Sequence, residues 1–150
     1  MHTNIVFGPV PFRRLGRSLG INNIPPKVCT YACVYCQLGR AIHMQTTRKS
    51  FYSPEEIERK VEAQLSSVYR HDDTVDYLCF VPDGEPSLVA NIGESIRRLQ
   101  RFGVPVATIS NGSLLSDARV REELLRLDWM SIKVDAAYET LWRSIDRPTT

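Results

Sequence analysis

Three cysteines fall within eight residues, Cys29-Thr30-Tyr31-Ala32-Cys33-Val34-Tyr35-Cys36, and the fourth, Cys79, stands 43 residues beyond them. Thiolates so closely spaced in a loop can converge on one centre. Sulfur donors select a soft, thiophilic metal, which means zinc or an iron–sulfur cluster. Ligand number separates the two. A structural zinc site is closed by four ligands, so it would have to recruit Cys79 or a histidine. A cubane [4Fe–4S] cluster held by Cys29, Cys33 and Cys36 leaves one iron open to a further ligand. The cluster reading leads, and zinc stands as the alternative. Disulfides are disfavoured: Met1-His2-Thr3-Asn4 shows no secretory pattern, and cytosolic thiols stay reduced.

Such a loop has to be held by a scaffold, and the chain predicts one. Residues 1–16 read as an irregular lead-in, because Phe7-Gly8-Pro9-Val10-Pro11 suits neither a regular helix nor a central strand. Residues 17–24 alternate polar and apolar and predict a first strand, ended by Pro25-Pro26, with the cysteine loop directly after it. Ser53, Pro54 and Glu56 form a helix start, and Ile57, Val61, Leu65 and Val68 then share one face, giving a helix over 54–70. Residues 75–81 form a short apolar strand closed by a proline-rich turn. Asn91, with Glu94 as its capping-box partner, opens a second helix that buries Ile92, Ile96 and Leu99 and stops at Gly103. Residues 104–109 are the third strand. Ser116 caps a third helix carrying Val120, Leu124 and Leu127, residues 129–135 are the fourth strand, and 138–145 begin a fourth helix that Pro148 stops. Strand–helix alternation with short connections implies parallel strands and right-handed crossovers. The expected fold is α/β, a partial (β/α) barrel of about four units whose first and fourth strands are open edges.

In parallel α/β architecture, ligands bind at the carboxyl ends of the strands. Four polar clusters fall there: the cysteine loop, Asp83-Gly84-Glu85-Pro86, Ser110-Asn111-Gly112, and the pair Lys133 and Asp135. Each has an ordinary reading beside the functional one. Asp83-Gly84 and Asn111-Gly112 are common turn sequences, Lys133 suits an exposed strand end, and Asp135 suits a helix cap. Tyr31 and Tyr35 could pack the loop. Cys79, inside an apolar run, reads as a core residue, and His2, His43 and His71 show no metal-site spacing.

Composition sets outer bounds. With 150 residues and 43% hydrophobic content, the chain can bury a real core, and residues 1–150 read as one domain. No apolar run reaches membrane-spanning length, so a soluble, cytoplasmic protein is expected. The formal net charge of +2 hides an asymmetry. Residues 1–50 hold Arg13, Arg14, Arg17, Lys27, Arg40, Arg48 and Lys49 and no acid, whereas the remainder holds 12 Lys/Arg against 17 Asp/Glu. A basic half that contains the cysteine loop would attract anions, nucleic acid among them, or merely offset an anionic cluster.

The C-x3-C-x2-C spacing, with Tyr35 just before the last cysteine, resembles the signature of the radical S-adenosylmethionine (SAM) enzymes. That resemblance implies a [4Fe–4S] cluster on Cys29, Cys33 and Cys36, with SAM chelating the open iron through its amino and carboxylate groups. It implies reductive cleavage of SAM to a 5′-deoxyadenosyl radical that abstracts hydrogen from a substrate. It also implies a one-electron donor of flavodoxin or ferredoxin type. Gly84-Glu85-Pro86 is similar to the family's glycine–glutamate motif, which receives the methionyl ammonium, with Asp83 in place of the usual first glycine. An ammonium needs acceptors only, which a carboxylate and inward carbonyls supply. Tyr35 matches the position whose backbone lies against adenine, Asn111 an element after the third strand, and Lys133 with Asp135 the polar pair on the fourth. Many relatives have serine where Lys133 stands. The family's barrel has six units, so these residues resemble an incomplete core lacking its last β/α units. Phe7 to Gly20, followed by Pro25-Pro26-Lys27, resembles an iron–sulfur oxidoreductase subgroup similar to wyosine-type tRNA-modifying synthases, which implies an RNA substrate. A non-catalytic zinc module or a truncated cluster carrier is the rival reading.

Overall fold

A computed structural model describes residues 4–149. The elements, in chain order, are β1 (Val6–Phe12), β2 (Gly16–Ile21), β3 (Val28–Cys29), β4 (His43–Met44), α1 (Pro54–Arg70), β5 (Tyr77–Phe80), α2 (Ile92–Leu99), β6 (Val106–Ser110), α3 (Ala118–Leu124), β7 (Trp129–Ile132) and α4 (Glu139–Asp146). Five strands form one open sheet in the order β1-β2-β5-β6-β7, and β3 and β4 form a separate parallel pair. From β2 to β7 every pairing is parallel, as strand–helix alternation requires.

The lead-in is where the structure departs from expectation. Residues 6–12 are not irregular: they form β1, antiparallel to β2. Pro9 and Pro11 cannot donate to a ladder, which bars them from a central strand. On an edge strand a proline can turn its missing N–H outward, and the register shifts between Phe7 and Val10 to admit the Gly8-Pro9 step. Gly20 lets the two strands close up. A Cβ there would come within 2.0 Å of the Phe7 ring, so the ring occupies the place of a side chain. The expected first strand is therefore interior, and the sheet edges are β1 and β7.

One face of the sheet carries the main core. Leu19, Ile21, Leu78, Phe80 and Val106 meet Ile57, Val61 and Leu65 of α1, Ile92, Ile96 and Leu99 of α2, and Val120 and Leu124 of α3. Burying each such side chain contributes about 1.5–3 kcal/mol relative to exposure. The opposite face has a smaller buried group, Leu15, Cys79 and Ala107, flanked by Phe12 and Trp129. Helix starts follow local chemistry with two adjustments. At α1 the Ser53 hydroxyl accepts from the Glu56 N–H at 3.1 Å, as expected. At α2 no capping box forms: Asn91 Nδ2 donates to the Tyr52 carbonyl at 3.0 Å, and Glu94 pairs with Arg97 and Arg98 instead. At α3 the cap is Asp117, one residue after Ser116.

Candidate functional site

The cysteine loop leaves β2 through Pro25-Pro26 and enters the short strand β3, so Cys29 is fixed by pairing with Met44 of β4. Cys33 and Cys36 follow in a turn closed by Cys36 N–H donating to the Cys33 carbonyl at 3.1 Å. All three thiols line one cavity of about 130 Å³, together with Lys27, Asp83 and Gly84. Among the described residues, no three His, Cys, Asp or Glu side chains are gathered tightly enough for a single metal ion. Burial pushes the Cys29 thiol up to about 11. Burial, aided by Asp146, also raises Cys33, against the pull of Lys133. These sulfurs are therefore protonated at neutral pH until a metal displaces the protons.

What holds the loop comes from the far end of the chain. Ala32 N–H donates to the Asp146 carbonyl at 3.0 Å, Val34 N–H to that of Ile145 at 2.9 Å, and Thr149 N–H to that of Thr30 at 2.9 Å. The orphan carbonyls at the end of α4 are thus satisfied by the cysteine loop. Trp142 meets Tyr31 edge-on, with ring centroids 5.8 Å apart.

The second rim segment is tied to the first through its glycine. A Cβ on Gly84 would lie 2.2 Å from the Val28 carbonyl oxygen, so the turn after β5 touches the cysteine loop only because the side chain is absent. Glu85, 2% exposed, points inward. Its Oε1 accepts from the Ser87 N–H at 3.0 Å, the Ser87 hydroxyl at 2.5 Å and the Ser110 hydroxyl at 2.6 Å. Its Oε2 accepts from the Asn111 N–H at 2.9 Å. The carboxylate therefore joins the loops after β5 and β6, and Pro86 lies buried beside it. Asn111 Nδ2 donates to the Thr30 hydroxyl at 2.8 Å and stands 3.8 Å from Cys29 Sγ.

After β7, Lys133 Nζ lies 2.8 Å from Asp135 Oδ2, 3.3 Å from Asp146 Oδ1 and 3.4 Å from Cys33 Sγ. It also sits 4.3 Å from the centroid of the Tyr35 ring, whose hydroxyl donates to Asp135 Oδ2 at 2.6 Å. Burial opposes the Lys133 charge, but Asp135, Cys33 and Asp146 outweigh it and hold its pKa above the ordinary value. Burial and the neighbouring Asp135 carboxyl push Asp146 up. Asp135 caps no helix, since α4 begins at Glu139 with Tyr138 in the cap position. A second cavity of about 370 Å³, lined by Tyr31, Asn111, Lys133, Asp135, Trp142 and Asp146, adjoins the first through Tyr31.

Residues 23–150 match the radical SAM superfamily. The chain belongs to this superfamily. A UPF0026 protein of Methanocaldococcus jannaschii is 49% identical over 144 residues, 96% of this chain and 44% of the relative. A protein of Brachyspira hyodysenteriae named GTPase Obg is 37% identical over 149 residues, 99% of this chain and 21% of that protein. A match confined to so small a share of a protein transfers no activity. A solved structure of TYW1 with a lysine-pyruvate adduct bound superposes with a TM-score of 0.65 at 18% identity, covering 89% of this chain and 47% of that one. That likeness shows a shared fold. The chain spans less than half the length of each of these three proteins.

The three loop cysteines with Tyr35, and the Gly84–Glu85–Pro86, Asn111 and Lys133/Asp135 clusters, lie at this strand-end rim, whereas Cys79 is in the core, His71 follows α1, and His2 lies outside the described residues. Reading the sequence missed Asp146 and Trp142, and gave Thr30 and Ser110 no role beyond membership of their clusters. Only Pro148 drew notice in the Ile145–Pro148 stretch, as a helix stop, and no periodicity marks a carboxylate that acts 113 residues from its cysteine. Two of the seven basic residues of the first fifty have structural partners: Arg17 pairs with Asp73, and Arg48 with Glu123 and the carbonyls of Ser87 and Val89. No helix among the described residues is long and apolar enough to cross a membrane.

Proposed function

We propose that this chain forms the cluster- and SAM-binding part of a radical SAM enzyme. The observation that carries the reading is that Cys29, Cys33 and Cys36 line one cavity at the carboxyl ends of parallel strands. A space walled by three thiols suits a multi-atom iron–sulfur group better than one zinc ion, and Cys79 stands in the opposite-face core with Leu15 and Ala107. Such a cluster, when bound and reduced, supplies the electron that cleaves SAM to methionine and a 5′-deoxyadenosyl radical, which takes hydrogen from a substrate.

The chain's own groups position the reactants. Gly84 brings the turn after β5 against the cluster loop so that main-chain acceptors face the cofactor. The Glu85 carboxylate holds that turn to Ser110 and Asn111, so its contribution is orientation. Asn111, Lys133 and Asp135 line the adjoining cavity; the Asn111 amide and the Lys133 cation suit the SAM carboxylate, and the Asp135 carboxylate suits its ammonium or ribose hydroxyls. Tyr35, tied to Asp135, presents its backbone to the adenine. For the substrate, the reading carries an RNA, on exposed Arg13 and Arg14 beside Phe12 and Trp129 in a cavity of about 370 Å³ on the sheet face opposite the main core. Binding that weakens steeply with salt tests that part. An electron donor is the other partner.

Anaerobic reconstitution with iron and sulfide, then dithionite and SAM, tests the whole. Accumulating 5′-deoxyadenosine is the expected result. Bound zinc without sulfide would overturn the cluster, and a cluster that never cleaves SAM would reduce the chain to a carrier.

A further inference from the structure

Cys33 has two charged neighbours of opposite sign, and the three groups form a closed triangle. Its Sγ lies 3.3 Å from Asp146 Oδ1 and 3.4 Å from Lys133 Nζ, and those two lie 3.3 Å from each other. As a thiol, Cys33 donates its proton to the carboxylate. A metal-bound cysteine has no proton to give: the S–H bond breaks, a metal–sulfur bond forms and the proton leaves to solvent. The same short contact then sets a thiolate against a carboxylate.

The two anions cannot simply move apart. The Asp146 side chain is 3% exposed, so water screens it little. Its main-chain carbonyl accepts from the Ala32 N–H at 3.0 Å, and the Ile145 carbonyl accepts from the Val34 N–H at 2.9 Å. Bonds on both sides of Cys33 thus pin the carboxylate to the loop. Among the described residues, Lys133 is the one cation paired with Asp146. Lys133 is held in place as well. It follows β7 directly, its main-chain N–H donates to the Ser110 carbonyl at 3.0 Å, and Asp135 Oδ2 stands 2.8 Å from Nζ.

Building on the function proposed above, we propose that Lys133 is the counter-ion that lets Cys33 serve as a cluster ligand beside Asp146, and that it raises the reduction potential of that cluster. Reduction adds one negative charge, which an adjacent cation favours and an adjacent anion opposes. Net charge and hydrogen bonds to the ligand sulfurs are among the levers that set such potentials. In this role Lys133 acts through Cys33 Sγ. Losing the cation alone would leave a buried carboxylate against the ligand sulfur, whereas losing both charges would leave neither.

The test is a redox titration of the anaerobically reconstituted full chain, read by the electron paramagnetic resonance of the reduced cluster. SAM is left out, so the contact proposed above between Lys133 and the SAM carboxylate does not enter. Lys133→Met should shift the reduction equilibrium about tenfold toward the oxidised form, a midpoint about 59 mV lower for one electron. Asp146→Asn should shift it the other way, and the double variant should return close to wild type. Lys60→Met, the same change at an exposed position of α1, should leave the midpoint unmoved. If Lys133→Met holds no cluster, its recovery in the double variant supports the counter-ion, and failure to recover overturns it. An unshifted midpoint in Lys133→Met overturns the inference and leaves the proposed function standing. Shifts of the same sign in the two single variants would mark a disturbed loop and also overturn it. A wild-type chain that takes up no cluster overturns both readings before any variant is made.

Discussion

Glu85 and Cys36 sit at opposite extremes of the same rim. Glu85 is buried, and its two oxygens accept four hydrogen bonds from Ser87, Ser110 and Asn111. Cys36 is exposed, in a loop whose fixed points are two residue pairs of β3 and β4 and the carbonyls after α4. The β5–β6 rim is closed by hydrogen bonds among its own residues. The cysteine loop is held by contacts borrowed from a distant segment and ends in thiols that await a metal. Pre-organisation thus lies on the cofactor-positioning side, and adaptability on the metal side.

The largest expected effect separates ligand from core. Cys33→Ala should reduce bound iron and 5′-deoxyadenosine to background. Cys79→Ala should keep both while lowering stability by about 1–2 kcal/mol, the loss of a buried group. Iron retained in the first variant, or lost in the second, would reverse the ligand assignment. Gly84→Ala tests whether the two regions must touch. Its Cβ meets a carbonyl oxygen at 2.2 Å, and relief has to come from backbone. A loss of about 3 kcal/mol in urea unfolding is expected, with poorer cluster retention. A silent substitution would show that the contact is loose.

Glu85→Gln probes the rigid side alone. Whichever oxygen becomes an amide nitrogen, it faces a main-chain N–H, that of Ser87 or that of Asn111, and one donor goes unpaired. The cost should be about 2 kcal/mol, and Ser110→Ala, which removes one hydroxyl donor, should cost about 1 kcal/mol. If Glu85→Gln matched wild type in stability but lost SAM affinity, the carboxylate would be a direct ligand instead.

The last effect is confined to alkaline pH. Burial pushes the Cys79 thiol from 9.0 up to about 12, so the fold favours its neutral form. That share of stability is complete below pH 9 and is lost as pH rises toward 12. Cys79→Ala should flatten the alkaline decline in stability, and an unchanged slope would show that other groups govern it.

Much of this was legible before any coordinates. Short-range patterns, the 54–70 helix with its Ser53 cap and the strand-end position of the polar clusters, agree with the structure. Misreadings came where a tertiary partner, near or far in sequence, claims a group that local pattern assigns elsewhere. Pro9 and Pro11 look incompatible with a strand until β1 is known to be an edge. Asn91 and Glu94 look like a capping box until Tyr52 and Arg98 compete for them. Asp135 looks like a cap until Lys133 and Tyr35 claim it.

The sequence by itself determined the donor atoms, their spacing and the alternation of strands and helices. Each is encoded within one or two turns of chain, where periodicity and capping act. Only the tertiary structure decided that Glu85 turns inward, that Asp146 stands against Cys33, and that the lead-in covers the flank of β2. Those outcomes depend on which buried polar groups find partners across 25 to 113 residues of chain. An unpaired group in the interior is costly enough for such distant contacts to override local preference.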